Sequence, residues 1–146
     1  MKAKLLIIPL VFSALITPVY AKDLMHTITL INENKNDSIN INYKLVFKQG
    51  DKYIYSEKKS ISLNENEAVN IKFSPRDYKK SGIIIYSINK HSVQDNSIHI
   101  GIPKGCSLLT SEKNPTGTIS INYKDYEHNT EISCLAKGGV LNAISD

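Results

Sequence analysis

The chain has 146 residues, 41% of them hydrophobic and 22% charged, with a formal net charge of +4 and two cysteines. If residues 1–21 are removed as an export signal, Lys2 and Lys4 leave with them and the excess falls to +2. That balance argues against a polybasic nucleic-acid arm, a disulfide-dense miniprotein and a two-domain enzyme, and leaves one domain with room for a single core.

The N-terminus carries the export pattern. Met1-Lys2-Ala3-Lys4 is a positive start, residues 5–16 are apolar except for Pro9 and Ser13, and Val19 and Ala21 stand at the −3 and −1 places of a small-residue cleavage site. The pattern predicts cleavage after Ala21 and an exported protein, periplasmic or secreted, whose mature part is 22–146. The apolar run is too short to span a bilayer comfortably and nothing like it follows, so no transmembrane segment is expected in the mature chain.

From there the dominant period is two. Residues 26–31 form a first, weaker strand. In 39–47, Ile39, Ile41, Tyr43, Leu45 and Phe47 share one face of a half-buried strand. Weaker alternation over 53–63 predicts a third strand, and Val69, Ile71 and Phe73 a fourth. Residues 82–88 are apolar without alternation, which predicts a central strand buried on both faces. Alternation returns in 98–102 and 118–123, and an eighth strand is expected over 130–136. Turn chemistry separates them: Gln49-Gly50-Asp51, Asn64-Glu65-Asn66-Glu67 and Asn114-Pro115-Thr116-Gly117. Lacking a helical period, the chain reads as all-β, an antiparallel β-sandwich of about eight strands and immunoglobulin-like general architecture. A small closed β-barrel is the alternative. Residues 138–146 read as a loose tail.

Two cysteines in an exported chain predict one disulfide, Cys106 with Cys134. If consecutive strands run antiparallel, Cys106 lies just past the sixth strand and Cys134 near the finish of the eighth, at the same end. The same parity sorts the loops. One end collects 48–52, 74–80, 104–117 and Lys137, for a formal +5, and the other collects 32–38, 64–67, 89–97 and 124–129, for −4. The basic end would attract anions. Arg76 is the one arginine of the chain, the cation whose planar fork can grip a phosphate or carboxylate at two points. Arg76, Tyr78, Lys79 and Lys80, with Lys48, Lys52 and Lys104, are therefore the candidate binding residues.

Catalytic and metal chemistry find little footing. His91, Asp95 and His99 flank one loop, but no spacing fixes them as ligands, and no metal or other cofactor is expected. Glu65, Glu67, Asp125 and Glu127 lie in turns, without the burial that would raise one of them into an acid's range. No nucleophile elbow, phosphate loop or dinucleotide fingerprint is present, so no enzyme is expected.

The leader and the Asn-, Ile- and Lys-rich strands look generally similar to small exported β-proteins of Gram-negative bacteria. Fimbrial subunits and their chaperones share the sandwich architecture, although the cysteines here depart from the early-strand disulfide of the subunits. The resemblance implies no site residue. The expectation is a non-enzymatic binding protein that contacts an anionic lipid headgroup, a glycan or an acidic protein, and not nucleic acid. The alternatives are an assembly component joined through edge strands, against which Lys58-Lys59 would protect the third strand, and, less favoured, a small hydrolase.

Overall fold

A computed structural model describes residues 24–90, 106–125 and 130–140. Within them run nine strands and no helix: β1 (His26–Asn32), β2 (Ile39–Gln49), β3 (Lys52–Tyr55), β4 (Lys59–Leu63), β5 (Ala68–Phe73), β6 (Lys80–Lys90), β7 (Ser107–Ser111), β8 (Thr116–Asp125) and β9 (Thr130–Gly138). They form two sheets. One has the order β5-β1-β8-β9, and the other β3-β2-β6-β7 with β4 also paired to β2. The sheets stack as an open β-sandwich rather than a closed barrel. With no helix among the described residues, none is long and apolar enough to cross a membrane.

Period-two alternation is what makes each sheet one-sided. Along β1, His26, Ile28, Leu30 and Asn32 are buried and the residues between them are half-buried. Along β2, Ile39, Ile41 and Tyr43 point into the same core, which Ile83, Ile85, Ile88, Ile119 and Ile121 complete. The run 82–88 is central, as expected, but only one of its faces lies in the core. Opposite β2, Asn42 pairs with Ser87 while Tyr43 pairs with Ile85, so Tyr86 is an extra residue in β6. This bulge carries the inward set from Ile83 and Ile85 to Ile88, which hides the alternation from a strict count of two.

Other expectations change in detail. The third strand is two, β3 and β4, because Ser56 interrupts the ladder. Its N–H donates to the Leu45 carbonyl, and its hydroxyl accepts the Leu45 N–H in place of a backbone oxygen. The segment 104–117 is not one loop, since β7 occupies its middle; the adjacent leucines of Ser107–Ser111 point to opposite faces and show no alternation to count. The expected strand 98–102 lies outside the described residues. Nor is the sandwich wholly antiparallel, because β1 and β8 run parallel, from Thr27 opposite Thr116 to Asn32 opposite Ile121. Both start at the same end of the molecule, and they are neighbours across the middle of their sheet.

Cys106 and Cys134 are joined, with Cα atoms 5.2 Å apart. Cys106 immediately precedes β7, the strand expected before it lying outside the described residues, and Cys134 sits mid-way along β9 opposite Ile121. The bond therefore ties the edges of the two sheets at mid-height, not at one end. Its 28-residue separation corresponds to about 3.5 kcal/mol in the chain-entropy account. Past β9 the chain crosses to the other sheet, where the Val140 N–H donates to the Leu109 carbonyl at 2.7 Å. Residues 138–140 of the expected tail are thus held, and 141–146 lie outside the described residues.

That edge is packed so closely that glycine is required. A methyl group on Gly82 would overlap the Leu108 carbonyl, and one on Gly117 would overlap the Leu108 side chain. Leu108 fills the space where the two sheets meet. Gly82→Ala should lower stability by about 1–3 kcal/mol, read as a shift in the urea midpoint at unchanged m.

A second tie crosses the core lower down. The His26 Nδ1 lies 2.8 Å from the Thr110 hydroxyl, which itself donates to the Ser81 carbonyl, so the imidazole is the donor through Nδ1–H. The ring packs edge-on against Phe73. Burial pushes the His26 pKa below its usual 6.5, and Glu112 opposes the shift. Below that pH the unfolded chain takes up a proton that the folded one resists, so stability is full above about 6.5 and declines as pH falls toward the folded pKa. Thermal unfolding followed from pH 8 to pH 5 should show this decline, and His26→Asn should flatten it relative to the wild type.

Candidate functional site

The strand directions place the start of β1, the β2–β3 turn, the loop 74–79 and the β7–β8 turn at one end of the sandwich. The cations there are Lys48, Lys52, Lys72, Arg76, Lys79, Lys80, Lys113 and Lys137, against Asp51, Asp77 and Glu112. The opposite end presents Glu33, Asp37, Glu65, Glu67 and Glu131 with Lys35 and Lys124. Among the described residues the charge separation expected from loop parity therefore has the expected direction, although the strand count behind it differs.

At the basic end an open cleft of about 650 Å³ is lined by Lys48, Gln49, Gly50 and the stretch 76–80. Five of the candidate residues, Lys48, Arg76, Tyr78, Lys79 and Lys80, come together in its wall. Lys52 lies just outside it, paired with Gln49 across the hairpin, and Lys104 lies outside the described residues. In the lining, four cations face one carboxylate, Asp77.

The wall is shaped by local chemistry. Gly50 takes the left-handed conformation, with φ of 61°, that the tight turn after β2 needs. In the loop 74–79, Pro75 opens a turn closed by the Tyr78 N–H on the Pro75 carbonyl, and the Arg76 N–H donates to the Ser74 hydroxyl. Arg76 itself has φ of 54°. An L-residue other than Gly, Asn or Asp is uncommon there and costs about 1 kcal/mol or more. Its guanidinium lies 5.7 Å from the centre of the Phe47 ring, and Tyr78 packs on the same ring at 5.2 Å. Phe47 is buried and comes from β2, so the arginine is braced against the body of the sandwich.

The floor holds a second tension. Lys48 on β2 is directly opposite Lys80 on β6, and like charges at opposed positions destabilise a sheet. Lys48 is partly relieved by the Tyr53 ring, 5.9 Å from its Nζ. Both the strained arginine and the opposed lysines face the same cleft, and an anion seated there would relieve the repulsion.

The remaining candidates are not assembled into a site. Glu67 accepts from the Asn64 N–H and side-chain amide, which makes it a turn residue. Asp95, His91, His99 and Glu127 lie outside the described residues, as does the side chain of Asp125. Among the described residues no group of three His, Cys, Asp or Glu side chains converges. Lys58 and Lys59 stand on the outer edge where β3 gives way to β4, the placement that blunts edge-to-edge pairing.

One polar cluster escaped the sequence reading. Asn32, fully buried at an inward position of β1, donates to the carbonyls of Asp37 and Asn64, while its own carbonyl accepts from the Asn34 N–H and side-chain amide. The Asn34 carbonyl group of the side chain takes the Tyr123 N–H. Every bond serves the loops of the acidic end, so the cluster is structural. Its signal was an asparagine falling on the apolar phase of a strand.

No protein family matches the chain, and no curated protein matches it. Among solved structures it resembles a chain described as "Trapped Toxin", at 9% identity and a TM-score of 0.39, over 77% of this chain and 24% of that one. This chain therefore spans about a quarter of that one, and at this level the likeness carries no argument about function.

The cleft separates folding from its candidate role at one residue. Arg76→Gly relieves the positive φ and removes one ring contact, and the two should nearly cancel, leaving the thermal midpoint within a few degrees of wild type.

Proposed function

We propose that the protein is an exported, non-enzymatic binding protein that holds an anionic ligand in the cleft between the β2–β3 turn and the loop 74–79. The observation that carries this reading is the convergence of Arg76, Lys79, Lys80 and Lys48 on one cleft, with Arg76 kept in a conformation that glycine would adopt at lower cost. Arg76 supplies the planar two-point grip suited to phosphate, sulfate or carboxylate, and the opposed Lys48 and Lys80 supply charge from the floor. Tyr78 orders the wall through Phe47. Phosphorylated lipid headgroups, acidic glycans and acidic protein surfaces all present such groups.

Export is part of the proposal. It rests on the leader pattern of residues 1–21 and is compatible with the Cys106–Cys134 disulfide, which favours an oxidising compartment.

Binding to immobilised heparin and to vesicles containing anionic lipid, each at low and high salt, tests the reading. Retention should fall as salt rises, and Arg76→Ala or Lys79→Ala/Lys80→Ala should weaken binding about tenfold or more. Unchanged binding in those variants would remove the cleft from the function.

A further inference from the structure

The five-stranded sheet carries a second feature, on the face turned away from the core. None of its strands contains an aspartate or a glutamate, yet Lys44, Lys48, Lys52, Lys59 and Lys80 all lie in them. Register in one case and ring contacts in the other bring part of this charge into two rows across the outer face. In the row beside the cleft, Tyr53, Lys48 and Lys80 are consecutive neighbours on β3, β2 and β6. In the row above it, the Lys44 Nζ lies 5.9 Å from the Tyr55 ring and 5.6 Å from the Tyr86 ring, and the Lys58 Nζ lies 5.8 Å from the centre of the same Tyr86 ring. Tyr86 reaches this face because it is the bulged residue of β6. Lys44 and Lys48 are four residues apart on one strand, about 13 Å.

We propose that this face is a binding track for a linear acidic glycan, whose carboxylate or sulfate groups are held by the cleft at one end and by the Tyr55–Lys44–Tyr86–Lys58 row further along. The proposal rests on the anion-binding reading of the cleft and names its ligand class. Charge complementarity comes from a sheet with cations and no carboxylate in its strands, the carboxylate beside Lys58 being that of Glu57 in the β3–β4 connection. The tyrosines hold the ammonium groups over their rings and so fix cations that would otherwise be dispersed, while their hydroxyls and ring edges remain to meet sugar hydroxyls. Beyond the upper row the face continues as Asn42 bonded to Ser60 and Ser87, and Asn40 bonded to Ser62. Such an amide and hydroxyl surface can hydrogen-bond a sugar ring but has nothing to offer acyl chains. Lysine ammonium groups lie 5.6–5.9 Å from the centres of the Tyr53, Tyr55 and Tyr86 rings, where they compete with a nucleic-acid base for the same ring faces.

A length series decides it. Full-length protein is titrated with uronic-acid oligomers of increasing length and, in parallel, with sulfated heparin-derived fragments of the same lengths, the two arms distinguishing carboxylate from sulfate. Affinity should rise about tenfold or more from the shortest to the longest oligomer in at least one arm, since the second row then acts within one molecule. Lys44→Gln/Lys58→Gln should abolish that rise and leave the shortest oligomer unaffected, whereas Arg76→Ala should weaken all lengths. Lys58→Glu alone, at an exposed position, repeats the test should the double variant fold poorly. A flat length dependence in the wild type, with binding still lost in Arg76→Ala, overturns the track and keeps the cleft. Tighter binding to single-stranded oligonucleotides or to anionic vesicles than to any glycan overturns the track, and no binding of any anion overturns the cleft reading as well.

Discussion

The alternation of side chains along β2 is the constraint on which the rest of the molecule depends. The strand pairs with β6 on one side and with β3 and β4 on the other, so it lies at the centre of its sheet. Its inward residues, Ile39, Ile41 and Tyr43, anchor the core, and its outward residues, Lys44 and Lys48, supply charge to the opposite face. A slip of one residue would exchange the two sets, so the geometry that buries the isoleucines also exposes the lysines. Core and candidate site are two faces of one register. The Tyr86 bulge lies beside this strand, where it preserves the inward set of β6 and turns an aromatic ring outward.

Stability and the candidate site pull in opposite directions at the basic end. Lys48 faces Lys80, and Arg76 holds a left-handed backbone. Each is unfavourable for the isolated fold. At the acidic end the reverse holds, for Asn32 and Asn34 satisfy one another and the loops around them. Local costs that collect around the cleft, while the asparagine cluster opposite serves its own loops, are what a binding end and a structural end would show.

Much of this was legible in the residues. Alternation identified the strands that line the core, because a half-buried strand writes its two faces directly into the sequence. It failed where the backbone departs from strict pleating: at Tyr86, where an extra residue shifts the phase, at Ser56, where a hydroxyl replaces a carbonyl in the ladder, and at Leu108-Leu109, where both faces of β7 are covered. The parallel pairing of β1 and β8 was beyond reach, since nothing local to either strand records its partner. Arg76, Tyr78, Lys79 and Lys80 were found together because they are contiguous. The opposition of Lys48 to Lys80 and the reach of Lys44 between Tyr55 and Tyr86 arise from register, which joins residues far apart in the chain.

The ties between the sheets are unevenly distributed. The disulfide and the Leu109–Val140 bridge close the long edge formed by β7 and β9, and the asparagine cluster closes the acidic end around the β4–β5 turn. The remaining corner, where β3 and the end of β5 border the loop 74–79, is held by ring contacts instead, His26 against Phe73 and both Arg76 and Tyr78 against Phe47. The sandwich is thus bonded along its spine and across its top, and the cleft occupies the lower corner that the rings hold. A ligand settling there would meet a wall that depends on one ring, since Phe47 carries both the guanidinium of Arg76 and the ring of Tyr78.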